Sequence, residues 1–264
     1  MTLNLQQKTV QPTQIPYRMA FAGGWIDQPL LSKHNPQPPG SMVVVSLEPT
    51  INFLDRCGMG TSTRKVAMQI WGNKLPKREP ATLIRELYSA ENVGKSAPSG
   101  SQDMAGIIYP GINRLDYDAA FEGGYFPKNI ETNNDPNVVS WLENMISIVP
   151  VNQRPLGYDP LQKQNLDPTW IQRLGQTGKD CFDAIVAKDP IGLGASMNEC
   201  MVCWQNILPN TVLDSSIDVN LLEILSSYQK RYFGAMYSGC GGGYLYIVSD
   251  KLVPNSFKVE IRTA

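Results

Sequence analysis

The order of apolar and polar positions divides the chain into short strands and longer helices. YRMAFA, residues 17–22, is an apolar run that stops at Gly23 and Gly24, which predicts a short strand entering a turn. After a proline-rich stretch from Pro29 to Gly40, MVVVSLEPTINFL is β-branched and apolar enough for one buried strand. CGMGTST at 57–63 leads into RKVAMQIWGNKL, where Val66, Ala67, Ile70 and Trp71 recur at helical spacing, so a glycine-rich loop opens a helix. ATLIRELYSAENVG, 81–94, predicts a second amphipathic helix closed by Gly94, and APSGSQDMAGIIYPG predicts a loop with a small-residue segment. INRLDYD at 112–118 alternates like a strand, IETNNDPN at 130–137 is polar and turn-forming, and WLENMISIVPV predicts a strand that opens a second half. Residues 168–208 and 217–233 read as helices, and YLYIVS, 244–249, as a strand after the run GCGGG. The boundary falls near 137, giving units 1–137 and 138–264, with no internal repeat.

Composition narrows the function. Twenty-three Lys and Arg against 24 Asp and Glu leave a net charge of -1, without the overall basic field of a nucleic-acid binder. No run approaches the roughly 18 apolar residues of a spanning helix, so no membrane partner is expected. The opening MTLNLQQKTV lacks the basic start and apolar core of a secretory signal, and the expected compartment is the cytoplasm. The five cysteines have no framework spacing and read as reduced thiols. Oligomeric state is not legible.

Two nucleotide signatures fail on inspection. GKS at 94–96 has Ser89 where a P-loop needs its first glycine, and it ends a helix where it should begin one. GCGGGY at 239–244 places Tyr244 where the dinucleotide fingerprint needs its third glycine. GMGTST at 58–63 is the better candidate. Glycines let a backbone curl around an anion, the following helix offers unpaired N–H groups, and hydroxyls there can ligate magnesium. An ordinary glycine turn before a helix explains the same pattern. Cys200 and Cys203 form a lone C-x-x-C without a second ligand pair, and read as core thiols.

Taken together, IPYRMAFAGGWIDQP, CGMGTST, GSQDMAGIIYPGINRLDYD and SGCGGG resemble, in order, the motifs of the GHMP kinases, the superfamily of galactokinase, homoserine kinase, mevalonate kinase and phosphomevalonate kinase. The first is similar to the motif of the fucokinase and D-glycero-D-manno-heptose 7-phosphate kinase branch. The resemblance spans nearly the whole chain. It implies an α+β fold of two domains, an N-terminal half like the second domain of ribosomal protein S5 and a ferredoxin-like C-terminal half. It also implies transfer of the ATP γ-phosphoryl group, with Mg2+, to a hydroxyl of a small-molecule sugar or sugar phosphate, in this branch the anomeric one.

By the same resemblance Asp103 and Arg18 are catalytic, the first accepting or orienting the hydroxyl proton and the second holding that carboxylate ionised. Gly58, Gly60, Thr61, Ser62 and Thr63 bind nucleotide, and Ser62 with Glu91, twelve residues before Asp103, ligates magnesium. Gly23, Gly24, Trp25, Asp27, Gly239, Gly241 and Gly242 bind substrate, Asp27 accepting from two vicinal hydroxyls and Trp25 either stacking on a sugar or plugging the core. The chain departs from the pattern in three places. Only 28 residues separate Pro29 from Gly58, Ile26 stands where Ser or Thr is common, and Arg64 and Lys65 follow the second motif where small residues are usual. The short segment motivates the alternative, a non-catalytic relative that binds a sugar or nucleotide as a regulatory protein.

Overall fold

In the computed structural model, which describes residues 13–95 and 98–264, the run YRMA becomes strand β1 (Tyr17–Ala20) and the following apolar run becomes β2 (Gly40–Leu47). The opening residues through Pro12 and Ser96 of the GKS segment lie outside the described residues. With β3 (Ile112–Tyr117) and β4 (Asn129–Asn133) these form an antiparallel sheet in the order β1-β2-β3-β4. All eight residues of β2 are buried because helices cover both faces of the sheet. A short helix, α1 (Pro29–Ser32), lies within the proline-rich connection between β1 and β2. On one face, α4 (Gln102–Ile108) packs on β1 and β2, where Gly106 leaves room for Arg18 and Val44. Helices α2 (Thr61–Trp71) and α3 (Pro80–Asn92) pack around α4. On the other face lies α6 (Pro168–Ala187), whose Gly175 and Gly178 sit directly on the backbone of Gly40 and Ser41.

A second antiparallel sheet contains β5 (Ile146–Pro150), β6 (Gly234–Gly239) and β7 (Gly242–Val248) in the order β5-β7-β6. Phe257 bridges to Ile148 on the open side of β5, so the C-terminal segment occupies the fourth place of a ferredoxin-like order as a single bridge. Helix α7 (Pro190–Ile207) packs on β6 through Gly194 and Gly234, and α8 (Leu221–Gln229) also packs there. Beyond Phe257 the C-terminal segment reaches the first sheet, where Ile261 bridges to Leu47. There Arg262 donates to the carbonyls of Ile107 and Ile108 and to the Ser46 hydroxyl.

Several elements differ from the sequence expectation. SQDMAGII is a helix and not a loop, because α4 is buried on nearly every side and shows no polar stripe. IETN is a strand, since edge pairing to β3 uses backbone groups and leaves polar side chains in water. The stretch from 141 is first helix, α5 (Pro136–Met145), and becomes strand only at Ile146. The long helix expected over 168–208 is two helices, divided where Lys188 turns left-handed and Asp189 caps α7. GAMYSG forms β6 outside any expected element, its two glycines masking the strand pattern.

A candidate active site between the two sheets

Arg18 lies in the middle of β1, facing α4, and Asp103 is the second residue of that helix. The absence of a side chain at Gly106 brings the two elements close enough to form a buried ion pair. Arg18 Nε donates to Asp103 Oδ1 at 2.7 Å, a terminal nitrogen reaches the same oxygen, and the other donates to the Gly58 carbonyl at 2.8 Å. Asp103 Oδ2 accepts from the Thr63 hydroxyl at 3.2 Å. One network thus joins strand, glycine loop, α2 and α4. The Arg18 side chain is 8% exposed and that of Asp103 22%, so the carboxylate is reached from outside while its partner is covered.

Gly58 and Gly60 have φ of 77° and 67°, a region costly for other residues, and Gly58 rests against the backbone of Ser238 and Gly239 in the second sheet. Helix α2 follows Gly60, its N-cap, with no side-chain cap, and its start, Gly60 to Ser62, lines a cavity of about 370 Å³. Thr61 and Ser62 line that cavity, whereas Thr63 is buried beneath it. Four cations reach it, namely Arg18, Arg56, Lys65 and Arg154. Arg64, by contrast, turns away to the Ile15 carbonyl and the ring of Tyr17.

Glu91 is nearly covered on α3, with one oxygen 3.5 Å from Lys95 and Oε2 buried without a partner. Burial pushes its carboxyl above the ordinary value, the neighbouring Thr63 hydroxyl opposes this, and the Asp103 charge adds to it. An orphaned carboxylate oxygen beside a hydroxyl and a second carboxylate suits a hard cation, so these residues fit magnesium. Thr63, not Ser62, is the hydroxyl that lies between Glu91 and Asp103.

On the other side of the ion pair is a cavity of about 270 Å³ that shares Arg18, Gly58, Asp103 and Arg154 with the first. Asp27 lies fully buried at its wall, with Oδ1 accepting from Gln102 Nε2 at 3.4 Å and Oδ2 unpartnered. Burial, and next the charge of Asp103, push its pKa up to about 7. Gln102 Oε1 is also buried and unpartnered, so two acceptors at this wall lack a protein donor. Trp25 and Trp204 line the same space, their indole N–H groups donating to Cys240 Sγ at 2.9 Å and to the Gly24 carbonyl at 3.0 Å.

Of the other substrate candidates, Gly24 and Gly239 line this cavity. Gly23, Gly241 and Gly242 do not. Gly23 abuts β2, Gly241 backs onto Arg154 and Tyr158, and Gly242 backs onto Asn152, so they shape turns beneath the wall. Cys200 and Cys203 are buried in the core on α7. A larger open groove of about 530 Å³ between α6 and α7 carries Asp180, Asp183, Asp189 and Glu199 and none of the residues singled out from the sequence.

Sequence reasoning missed Arg56, Arg154, Gln102 and Trp204. Arg56 immediately precedes the glycine loop and Gln102 immediately precedes Asp103, so both had a positional signal. Arg154 and Trp204 had none, because they come from the second half and meet the site only through the fold.

No family model matches the sequence, and no curated protein matches it. Solved structures do. Methanococcus jannaschii mevalonate kinase superposes with a TM-score of 0.59 at 11% identity, covering 92% of each chain. Lactococcus lactis galactokinase, solved with galactose, gives 0.60 at 10% identity over 94% of this chain and 92% of its own. D-glycero-D-manno-heptose 1-phosphate kinase from Bacteroides thetaiotaomicron gives 0.55 at 10% over 94% and 95%. Likeness at this identity, sustained along almost the whole chain, is one of architecture: the protein has the two-domain α+β fold of the GHMP kinases.

Proposed function

We propose that the protein is a kinase that transfers the γ-phosphoryl group of ATP to a hydroxyl, the anomeric one, of a small sugar or sugar phosphate. The observation that carries this reading is the Arg18–Asp103 pair standing where the cationic cavity meets the tryptophan-lined one. The first cavity suits a polyphosphate, with cations and the start of α2, and the second suits a polyol, with orphaned acceptors and aromatic walls.

In the reaction, the acceptor oxygen forms a bond to the γ-phosphorus and the bond from that phosphorus to the β,γ-bridging oxygen breaks. The electron pair leaves with the nucleoside diphosphate, and the hydroxyl proton passes to Asp103. Arg18 orients the carboxylate and, with Arg154, faces the charge on the moving phosphoryl group. Magnesium, when bound, would neutralise phosphate charge, and Glu91, Asp103 and Thr63 are the residues that would hold it. Asp27 and Gln102 accept hydrogen bonds from sugar hydroxyls and so set which hydroxyl faces Asp103.

The test is ADP release from MgATP by the full chain, over a panel of hexoses, deoxyhexoses, heptoses and their phosphate esters. Turnover with a member of the panel is expected. Asp103→Asn lowers kcat about 10² to 10⁴-fold and leaves affinity for a non-hydrolysable ATP analogue within about twofold. Sugar or nucleotide binding without turnover across the panel would replace this reading with the non-catalytic one.

A further inference from the structure

The cationic cavity has an unusual lining. Gly58, Gly60, Thr61 and Ser62 form its floor, Asp55 and Asp103 are its acids, and four cations complete it; among the described residues no aliphatic or aromatic side chain lines it. Two of the cations are already matched, Arg18 with Asp103 and Lys65 with Asp55. Arg56 and Arg154 have no carboxylate partner among the described residues.

These two arginines come from different halves of the chain and hold each other by reciprocal contacts. Arg154 Nε donates to the Arg56 carbonyl at 2.8 Å, and Arg56 Nε donates to the Arg154 carbonyl at 3.0 Å. Gln153 ties the same loops by donating to the Asp55 carbonyl at 2.7 Å. Backbone carbonyls thus bring two like charges to the rim of one cavity, and their mutual repulsion is relieved when an anion enters between them. Tight recognition of a purine or pyrimidine needs an apolar slot or a stacking partner. Phosphate oxygens need charged donors and helix N–H groups; although Arg56 Nε and Nη2 are bonded to the carbonyls of Arg154 and Pro155, and Arg154 Nε to that of Arg56, the remaining guanidinium nitrogens have no protein acceptor among the described residues.

Resting on the kinase reading, we propose that this cavity recognises the phosphoryl donor by its phosphate chain and not by its base, so that nucleoside triphosphates of any base, and inorganic tripolyphosphate, occupy it. The base projects from the rim and contributes little to affinity. Donor choice in the cell is then a matter of which triphosphate is abundant.

The experiment is calorimetric titration of the full chain with the magnesium complexes of ATP, GTP, CTP, UTP and tripolyphosphate, with adenosine as the phosphate-free control. The four nucleotides are expected to bind within about tenfold of one another, tripolyphosphate to displace ATP, and adenosine not to bind. Arg56→Gln and Arg154→Gln weaken all five phosphate ligands by a common factor. Lys65→Gln, on an exposed side chain whose replacement leaves the core untouched, does the same to a smaller extent. ATP binding more than about tenfold tighter than the other three, or binding of adenosine, would overturn the inference and leave the kinase reading standing. Failure of every phosphate ligand to bind would remove the kinase reading and this inference with it.

Discussion

Asp27 is a carboxylic acid in an environment its type disfavours. A carboxyl buried among Gln102, Gly100 and the Asp103 charge, with its pKa near 7, holds a proton in the folded chain over a range where the unfolded chain has lost it. The folded state therefore binds more protons between about pH 4 and 7, and the slope of stability with pH is negative there. The contribution is complete below the unfolded value near 4 and is lost as pH rises through the folded value near 7. Urea midpoints of the ligand-free protein are expected to fall across that window, and Asp27→Asn is expected to flatten the fall. A sugar hydroxyl donating to Oδ2 favours the carboxylate, so sugar binding releases a proton near pH 7, readable as a buffer-dependent binding enthalpy. The sequence presented Asp27 as an acid beside two glycines. Its burial depends on Gly100, seventy-three positions later, where a methyl group would strike the carboxylate.

At the scale of elements, the close approach of α6 to β2 is set by Gly175 and Gly178, which meet the backbone of Gly40 and Ser41 with no side chain between. Gly178→Val forces α6 off the sheet and exposes part of the two-sided burial of β2. A loss of about 3 kcal/mol or more in urea unfolding is expected, with bound-state geometry at Asp103 altered little, since α4 lies on the opposite face. Some divisions had local signals that the apolar pattern alone passed over. Asp135, Asp167 and Asp189 each precede a proline and each caps the helix that follows, which is where α5 begins and where the helix expected over 168–208 divides. Elements that owe their form to neighbours were not. Helix α4 is too short and too evenly buried for a stripe, and β4 is polar because the edge of a sheet requires pairing partners and not apolar side chains.

For the whole molecule, the two sheets are joined by the glycine loop lying on Ser238 and by the C-terminal segment crossing from β5 to β2. Ser238 donates to the Cys57 carbonyl at 2.6 Å and accepts from Tyr244 N, fixing the loop to the β6–β7 hairpin. Arg262 anchors the crossing segment on the last carbonyls of α4. Arg262→Ala leaves two partly buried carbonyls without a protein donor and is expected to lower stability by about 2 kcal/mol, measured by urea denaturation. Motif order told the sequence reader that residues 18, 58 and 103 belonged together, and the network places them so. It could not disclose Arg154, which the loop after β5 brings to the seam. One side chain sets the spacing on the first half's side of that seam. Arg18 grips both Asp103 and the Gly58 carbonyl, so the spacing between proton acceptor and phosphate cradle is gauged by a single rigid guanidinium plane. Small slippage between the two halves then carries both reactive edges together, and misalignment is shared instead of accumulated.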